Sequence, residues 1–232
     1  MNLQQLLSEY GCNIDNFINI NTLTSIINRF NSSLNIKNIN YLSCKDDTGI
    51  FVLVTDKYVI KIYSNDRYLK ILNIYSVIKS NNIERIYQYD DYHNVTINEL
   101  LIPLFKYERK QIQTNIIYNN EIVKKLLLDV SYALQQLHIN NIVHGDATPD
   151  NVGFRYSESE FVLFDFGESN VVGSTGTNNY KDDVNRFLDS LLITYKDFFT
   201  KYIDKLNKIK KLVNTNDYYI EKFTNSINSV FN

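Results

Sequence analysis

Apolar side chains recur at three- and four-residue steps in residues 3 to 9 and again from about 14 to 31, where Ile14, Phe17, Ile18, Leu23, Ile26, Ile27 and Phe30 fall on one side. That period lets a helix bury a stripe, so two helices are predicted to lead the chain. From about residue 38 the period changes to two. Ile39 to Ser43, Ile50 to Thr55, a turn at Asp56-Lys57 and Tyr58 to Tyr63 read as a β-meander. A helix over about 65 to 80 follows. Arg85 to Asp91 and Thr96 to Ile102 read as two more strands, the second ending at Pro103, which cannot donate to a ladder. The expectation is five strands with one inserted helix.

Past a polar stretch at 106 to 120 the pattern turns helical. Ile122, Val123, Leu126, Leu127, Val130, Leu134 and Leu137 form one stripe, which predicts a core helix. Short strands are expected near 141 to 144, 151 to 155 and 160 to 165. A second stripe, Val184, Phe187, Leu188, Leu191, Leu192 and Tyr195, predicts another long helix, with more helix to the end. No internal repeat, low-complexity linker or charge block interrupts the 232 residues. The change from strand-rich to helix-rich near 106 divides the chain into a helical extension (1–37), a sheet-bearing part (38–105) and a helical part (106–232).

Composition narrows the functions. With 44% apolar and 13% aromatic residues the chain can bury a sizeable core. Its 24 basic and 26 acidic residues nearly cancel, so no overall field draws it to nucleic acid or anionic lipid, and neither partner is expected. Cys12 and Cys44 form no C-x-x-C pair, and His93, His138 and His144 are too scattered to cage a metal. A reducing, cytoplasmic setting is expected. The start, MNLQQLLSEYG, has no basic leader, and no window reaches the roughly 18 unbroken apolar residues of a membrane span. The abundance of Asn, Ile, Tyr and Lys is the mark of an AT-rich genome, such as that of a parasite or a large DNA virus, and carries no chemistry.

The chemistry lies in Val143-His144-Gly145-Asp146-Ala147-Thr148-Pro149-Asp150-Asn151, followed by Phe161-Val162-Leu163-Phe164-Asp165-Phe166-Gly167. Phosphoryl transfer needs a carboxylate at the attacking hydroxyl and oxygen ligands for Mg²⁺ on the nucleotide phosphates. Any one of these short motifs alone reads as a packed histidine or a turn; together, in this order and spacing, they do not. The pair resembles the catalytic loop and D-F-G segment of the protein-kinase superfamily. The resemblance implies an α+β, bilobal protein-kinase-like fold with a small antiparallel five-stranded N-lobe carrying one helix and a reduced helical C-lobe. It implies ATP and Mg²⁺ as cofactors, Asp146 at the hydroxyl, and Asn151 and Asp165 on the metal, with His144 and Gly167 as support. Lys61 of Tyr58-Val59-Ile60-Lys61-Ile62-Tyr63 would grip the α- and β-phosphates and Val59 would roof the adenine. A strand lysine that reaches out to solvent is the plain alternative. Gly49, Phe51 and Leu104 are assigned to the nucleotide as well. Asp183 would accept from the catalytic-loop backbone, with Asp182 competing for that place and a simple helix cap as the alternative.

The pattern also departs from the family. Cys44 and Asp46 stand where the first two glycines of a nucleotide loop belong, and Asp46-Asp47 bring negative charge there. Between Lys61 and Glu84 the only acid is Asp66, so the inserted helix has no glutamate to pair with the lysine. Gly145 replaces the arginine that docks a phosphorylated activation loop, so phosphorylation of Ser169, Ser174, Thr175, Thr177 or Tyr180 is not expected to switch activity. Thr148 replaces a lysine, no A-P-E follows, and about 50 residues remain after Asp183. These features resemble the atypical branch: RIO-type kinases, the small kinase of the KEOPS complex and lipopolysaccharide-type kinases. The expected function is that of an atypical Ser/Thr protein kinase with a protein substrate or docking partner. The alternatives are a small-molecule phosphotransferase of the aminoglycoside or choline type, and a pseudokinase acting as a binding module. The basic stretch Lys201, Lys205, Lys208, Lys210 and Lys211 reads as the solvated face of a terminal helix.

Overall fold

The computed structural model describes residues 19–31, 39–45, 50–55, 57–105, 118–172, 177–215 and 221–232, with backbone alone at 20, 27–31, 39–45 and 177–179. The chain divides into two compact units, Met1–Asn73 with Arg85–Leu100 and Ile74–Glu84 with Leu101–Asn232. Gly49, Asp46 and the helix expected over 3 to 9 lie outside the described residues.

In the first unit, α1 (Ile20–Asn31) starts where the Asn19 side chain accepts from the Asn21 N–H at 2.8 Å, and it buries Leu23 and Ile26. Five antiparallel strands follow: β1 (Ile39–Lys45), β2 (Ile50–Thr55), β3 (Tyr58–Tyr63), β4 (Ile86–Asp90) and β5 (Val95–Glu99), in the spatial order β1-β2-β3-β5-β4. Between β3 and β4 runs α2 (Asn65–Val77), whose residues from Ile74 onward belong to the second unit. Buried Tyr68 of α2 donates its hydroxyl to Asp91 at 2.7 Å. Burial and that carboxylate push the phenol well above its ordinary range.

Side chains directly opposite in an antiparallel pair share a face. Phe51 faces Ile62, and both are fully buried with Leu53, Ile60 and Ile97. Lys61 faces Val52 on one side and Thr96 on the other, and Val59 faces Val54 and Asn98. Phe51 therefore sits on the face opposite Val59 and Lys61, which corrects its assignment beside them at a nucleotide. Val52 is the β2 residue on the lysine's face. Asn98, fully buried opposite Val59, accepts from Thr96 Oγ1 at 2.6 Å while its Nδ2 has no partner among the described residues.

The second unit is built on α3 (Asn120–Ile139), capped by Asn119, whose side chain accepts from the Ile122 N–H. Val123, Leu126, Leu127, Val130, Leu134 and Leu137 are buried to within 1%. Burial of six such side chains contributes on the order of 10 kcal/mol, against about 1 kcal/mol for the cap, so packing decides that this helix forms. It packs on the strand Glu160–Leu163 and on the last helix. The strand β6 (Ile102–Pro103) pairs with β8 (Val152–Arg155), which pairs with β9 (Glu160–Leu163); β7 (Ile142–Val143) pairs with β10 (Asn170–Val171). Buried Asp129 of α3 accepts the Phe161 N–H at 2.9 Å and ties the helix to β9. Arg155, 5% exposed, reaches the carbonyls of Asn81 and Ile83 and the carboxylate of Glu160, and so fixes the segment that enters β4.

The remaining elements are α4 (Thr177–Asp189), α5 (Ile203–Val213) and α6 (Lys222–Phe231). The single long helix expected through Tyr195 ends at Asp189 and passes into a π-type turn, Ser190–Thr194. Leu188, Leu191 and Tyr195 are all buried, so the apolar stripe continues while the backbone widens by a residue. Among the described residues no helix is long and apolar enough to cross a membrane.

Candidate functional site

The segment from His144 to Asn151 carries no long element of its own, so its shape comes from what grips it. The main grip is Asp183 on α4, which is 1% exposed. Its Oδ2 accepts the His144 N–H at 2.8 Å and its Oδ1 accepts the Gly145 N–H at 2.9 Å. His138, from the end of α3, adds its Nε2 to Oδ2 at 3.1 Å, and the Tyr180 ring stacks on that imidazole. A buried carboxylate is costly unless its lone pairs are filled, and here three donors fill them. The neighbouring Asp182 is exposed and makes none of these bonds.

His144 has no exposed surface. Its Nδ1 accepts the Asp146 N–H at 3.2 Å, which leaves Nε2 as the protonated nitrogen, donating to the Phe164 carbonyl at 3.1 Å. Burial pulls its pKa below the ordinary histidine value, against the opposing pull of Asp183, Asp165, the Phe164 carbonyl and Asp146. The neutral ring is a spacer that joins the His144-Gly145-Asp146 turn to the strand end before Asp165, with its face against Phe166.

Gly145 has φ +80°, and a Cβ there would stand 2.5 Å from the Glu168 carbonyl oxygen. The backbone of the D-F-G segment thus passes directly over this residue. No arginine fits without moving that segment, which is the physical reason for glycine at this position. Ser169 closes the same contact: fully buried, it donates to the His144 carbonyl at 3.0 Å. Tyr180 is buried as well, while Ser174, Thr175 and the Thr177 side chain lie outside the described residues.

Asp146 and Asn151 meet across the turn. Asn151 Nδ2 donates to the Asp146 carbonyl at 2.8 Å and to its Oδ2 at 2.9 Å. Both amide hydrogens are then used, and Oδ1 is the atom left to ligate a cation. The Phe164 N–H donates to the Asn151 carbonyl at 2.9 Å, which brings the strand leading to Asp165 alongside. Asp165 is exposed and left-handed, φ 62°, a conformation that a non-glycine residue holds only where its surroundings impose it. Its carboxylate accepts from the buried Gly167 N–H at 3.4 Å.

Two groups that the sequence did not point to complete the surroundings. Tyr195, stacked on Phe105 with ring centres 3.8 Å apart, donates its hydroxyl to Asp150 inside the turn. Arg186 reaches Asp146 Oδ1 at 3.4 Å from α4. Neither contact leaves a short-range mark, because both partners lie about 40 residues away along the chain. The structure therefore brings His144, Asp146, Asn151, Asp165, Gly167 and Asp183 together within the second unit. Leu104 is in the same unit, fully buried, with its N–H on the Val152 carbonyl. Lys61 and Val59 belong to the first unit, on one face of its sheet. Glu84 is 4% exposed and accepts the hydroxyl of Tyr75, whose ring packs edge-on against Phe166.

The donor set bears on metal choice. Among the described residues no group of three or more His, Cys, Asp or Glu side chains is placed to hold a metal. One amide oxygen and one exposed carboxylate are hard ligands, too few for a protein cage. They fit an ion such as Mg²⁺, which keeps waters and shares phosphate oxygens.

The close approach at Gly145 makes Gly145→Ala destabilising by roughly 2 to 4 kcal/mol, from the positive φ and the carbonyl clash together. A thermal melt within about a degree of wild type would contradict it. The buried neutral His144 gives a pH signature. Because its folded pKa lies below the unfolded one, its contribution is complete above about pH 6.5 and is lost as the pH falls toward the folded value. Melts of wild type and His144→Phe across that range should show a flatter dependence in the variant, and equal slopes would contradict the assignment.

No protein-family model matches the chain, and no curated protein matches it. Among solved structures it is similar to the Cydia pomonella granulovirus kinase PK-1, at 20% identity and a TM-score of 0.46, over 65% of this chain. The match covers 60% of that kinase, so the chain spans less than two thirds of its length.

Proposed function

We propose that this chain is an ATP- and Mg²⁺-dependent phosphotransferase that moves the γ-phosphoryl group to a serine or threonine hydroxyl of a protein. The observation that carries the reading is the Asp146–Asn151 pair. Asn151 is 8% exposed and spends both amide hydrogens on Asp146, whereas the Asp146 side chain stays 43% exposed. A carboxylate aimed by a buried amide on one oxygen, met only at 3.4 Å by Arg186 on the other and still solvent-accessible, can receive a hydroxyl proton.

In this reading Asp146 orients the incoming hydroxyl and takes its proton as oxygen bonds to phosphorus, while the nucleoside diphosphate leaves with the former bridging electrons. Asn151 Oδ1 and the Asp165 carboxylate would hold Mg²⁺, which when bound neutralises phosphate charge. The left-handed backbone at Asp165 keeps its carboxylate out of the buried layer formed by Phe166 and Gly167. Lys61 and Val59 are assigned to the phosphates and the adenine, and Asp183 to holding the turn. A protein acceptor in a cytoplasmic setting completes the proposal.

The test is transfer from γ-labelled ATP with Mg²⁺, for wild type, Asp146→Asn and Asp165→Ala. Label should enter protein with wild type, and the Asp146 variant should lose about 10²- to 10⁴-fold in rate. Equal labelling by Asp146→Asn would contradict the proposal, and label found only in a small alcohol would move it to the small-molecule class. No transfer together with no nucleotide-dependent thermal shift would leave a binding module.

A further inference from the structure

The two oxygens of Asp146 face different neighbours. Oδ2 is held by Asn151, whose backbone adjoins the strand that ends at Asp165, so this is the side of the metal ligands. Oδ1 is met by Arg186 at 3.4 Å. An acceptor hydroxyl approaching Asp146 from the side away from those ligands meets that guanidinium.

Helix geometry explains how it gets there. Asp183 and Arg186 are three residues apart on α4 and therefore share a face, the first bonded to the backbone of His144 and Gly145, the second to the side chain of Asp146. The Arg186 side chain is 53% exposed and its partner 43%, and an ion pair so exposed adds little to stability. Folding does not account for it. A guanidinium carries five N–H donors and a fixed positive charge, and among the described residues a single bond to Asp146 leaves the rest for a second planar anion. Most other charged side chains of the loop and of the adjoining helix start, Asp146, Asp150, Asp165, Glu168, Asp182 and Asp183, are acidic, with Lys181 the basic exception.

We propose that Arg186 is the specificity residue of the acceptor side: it binds a carboxylate next to the receiving hydroxyl, so that the substrate is a serine or threonine flanked by Asp or Glu. This rests on the phosphotransferase reading. A neutral or basic neighbour would leave the guanidinium without its second partner or repel it, and the discrimination appears in acceptor binding.

The test uses three serine peptides that differ only in the residues beside the serine, acidic, alanine or lysine, against the full chain and Arg186→Ala, Arg186→Lys and Arg186→Glu, each checked by thermal melt. Wild type should favour the acidic peptide over the alanine peptide by about tenfold in kcat/KM, mostly through KM. Arg186→Lys should keep part of that preference, Arg186→Ala should bring the ratio near one, and Arg186→Glu should favour the lysine peptide. A second readout needs no turnover: fluorescence anisotropy of the acidic peptide with alanine in place of serine should show salt-sensitive binding that Arg186→Glu abolishes. If wild type transfers label but uses the three peptides equally, or if its preference persists in Arg186→Ala and Arg186→Glu, the selection by Arg186 is overturned alone. Transfer only to a small alcohol overturns the peptide class, and no transfer to any acceptor removes the phosphotransferase reading and this proposal with it.

Discussion

A buried carboxylate with three donors on it organises the second unit of this protein. Asp183 lies beneath the His144-Gly145 backbone and takes an N–H from each, with His138 as the third partner. Such a group is stable only while all its donors stay in place, because removing one partner of a buried charge costs about 3 to 5 kcal/mol. The turn that presents Asp146 is thereby fixed to two helices, α3 through His138 and α4 through Asp183, instead of depending on its own short hydrogen bonds.

Everything on the outer side of the turn inherits that rigidity. With His144 and Gly145 pinned, the His144 ring spans from the Asp146 N–H to the Phe164 carbonyl. The Glu168 carbonyl can then pass so close to Gly145 that only a residue without a side chain is accommodated. The two halves of the site, separate in sequence, are locked together, and the carboxylates of Asp146 and Asp165 are left exposed while Asn151 stays buried. The proposed chemistry needs positioning more than it needs unusual basicity, and positioning is what these contacts supply.

How much of this was legible in the sequence depends on the range of the interaction. The α3 stripe and the β2 and β3 alternation were readable because burial imposes a local period. The placing of Phe51 with Val59 and Lys61 failed because strand register is a tertiary property, and a slip of one residue moves a side chain to the other face. Asp182 and Asp183 are indistinguishable as letters at a helix start; only the packing of α4 decides which one faces inward. The helix expected through Tyr195 was read from its apolar stripe, which does continue, while the π-type turn that interrupts it has no pattern of its own. Arg186 and Tyr195 reach the turn from about 40 residues away, and no spacing rule contains them.

The central claim is that Asp183 holds the turn from His144 to Asn151, and amide hydrogen exchange of Asp183→Asn tests it most directly, under conditions where the variant remains folded. An asparagine can accept at one oxygen only and turns an N–H₂ toward a donor, so exchange at the His144 and Gly145 amides should rise by about two orders of magnitude while the α3 amides at Leu126 to Val130 stay protected. Unchanged protection at His144 and Gly145 would contradict the account.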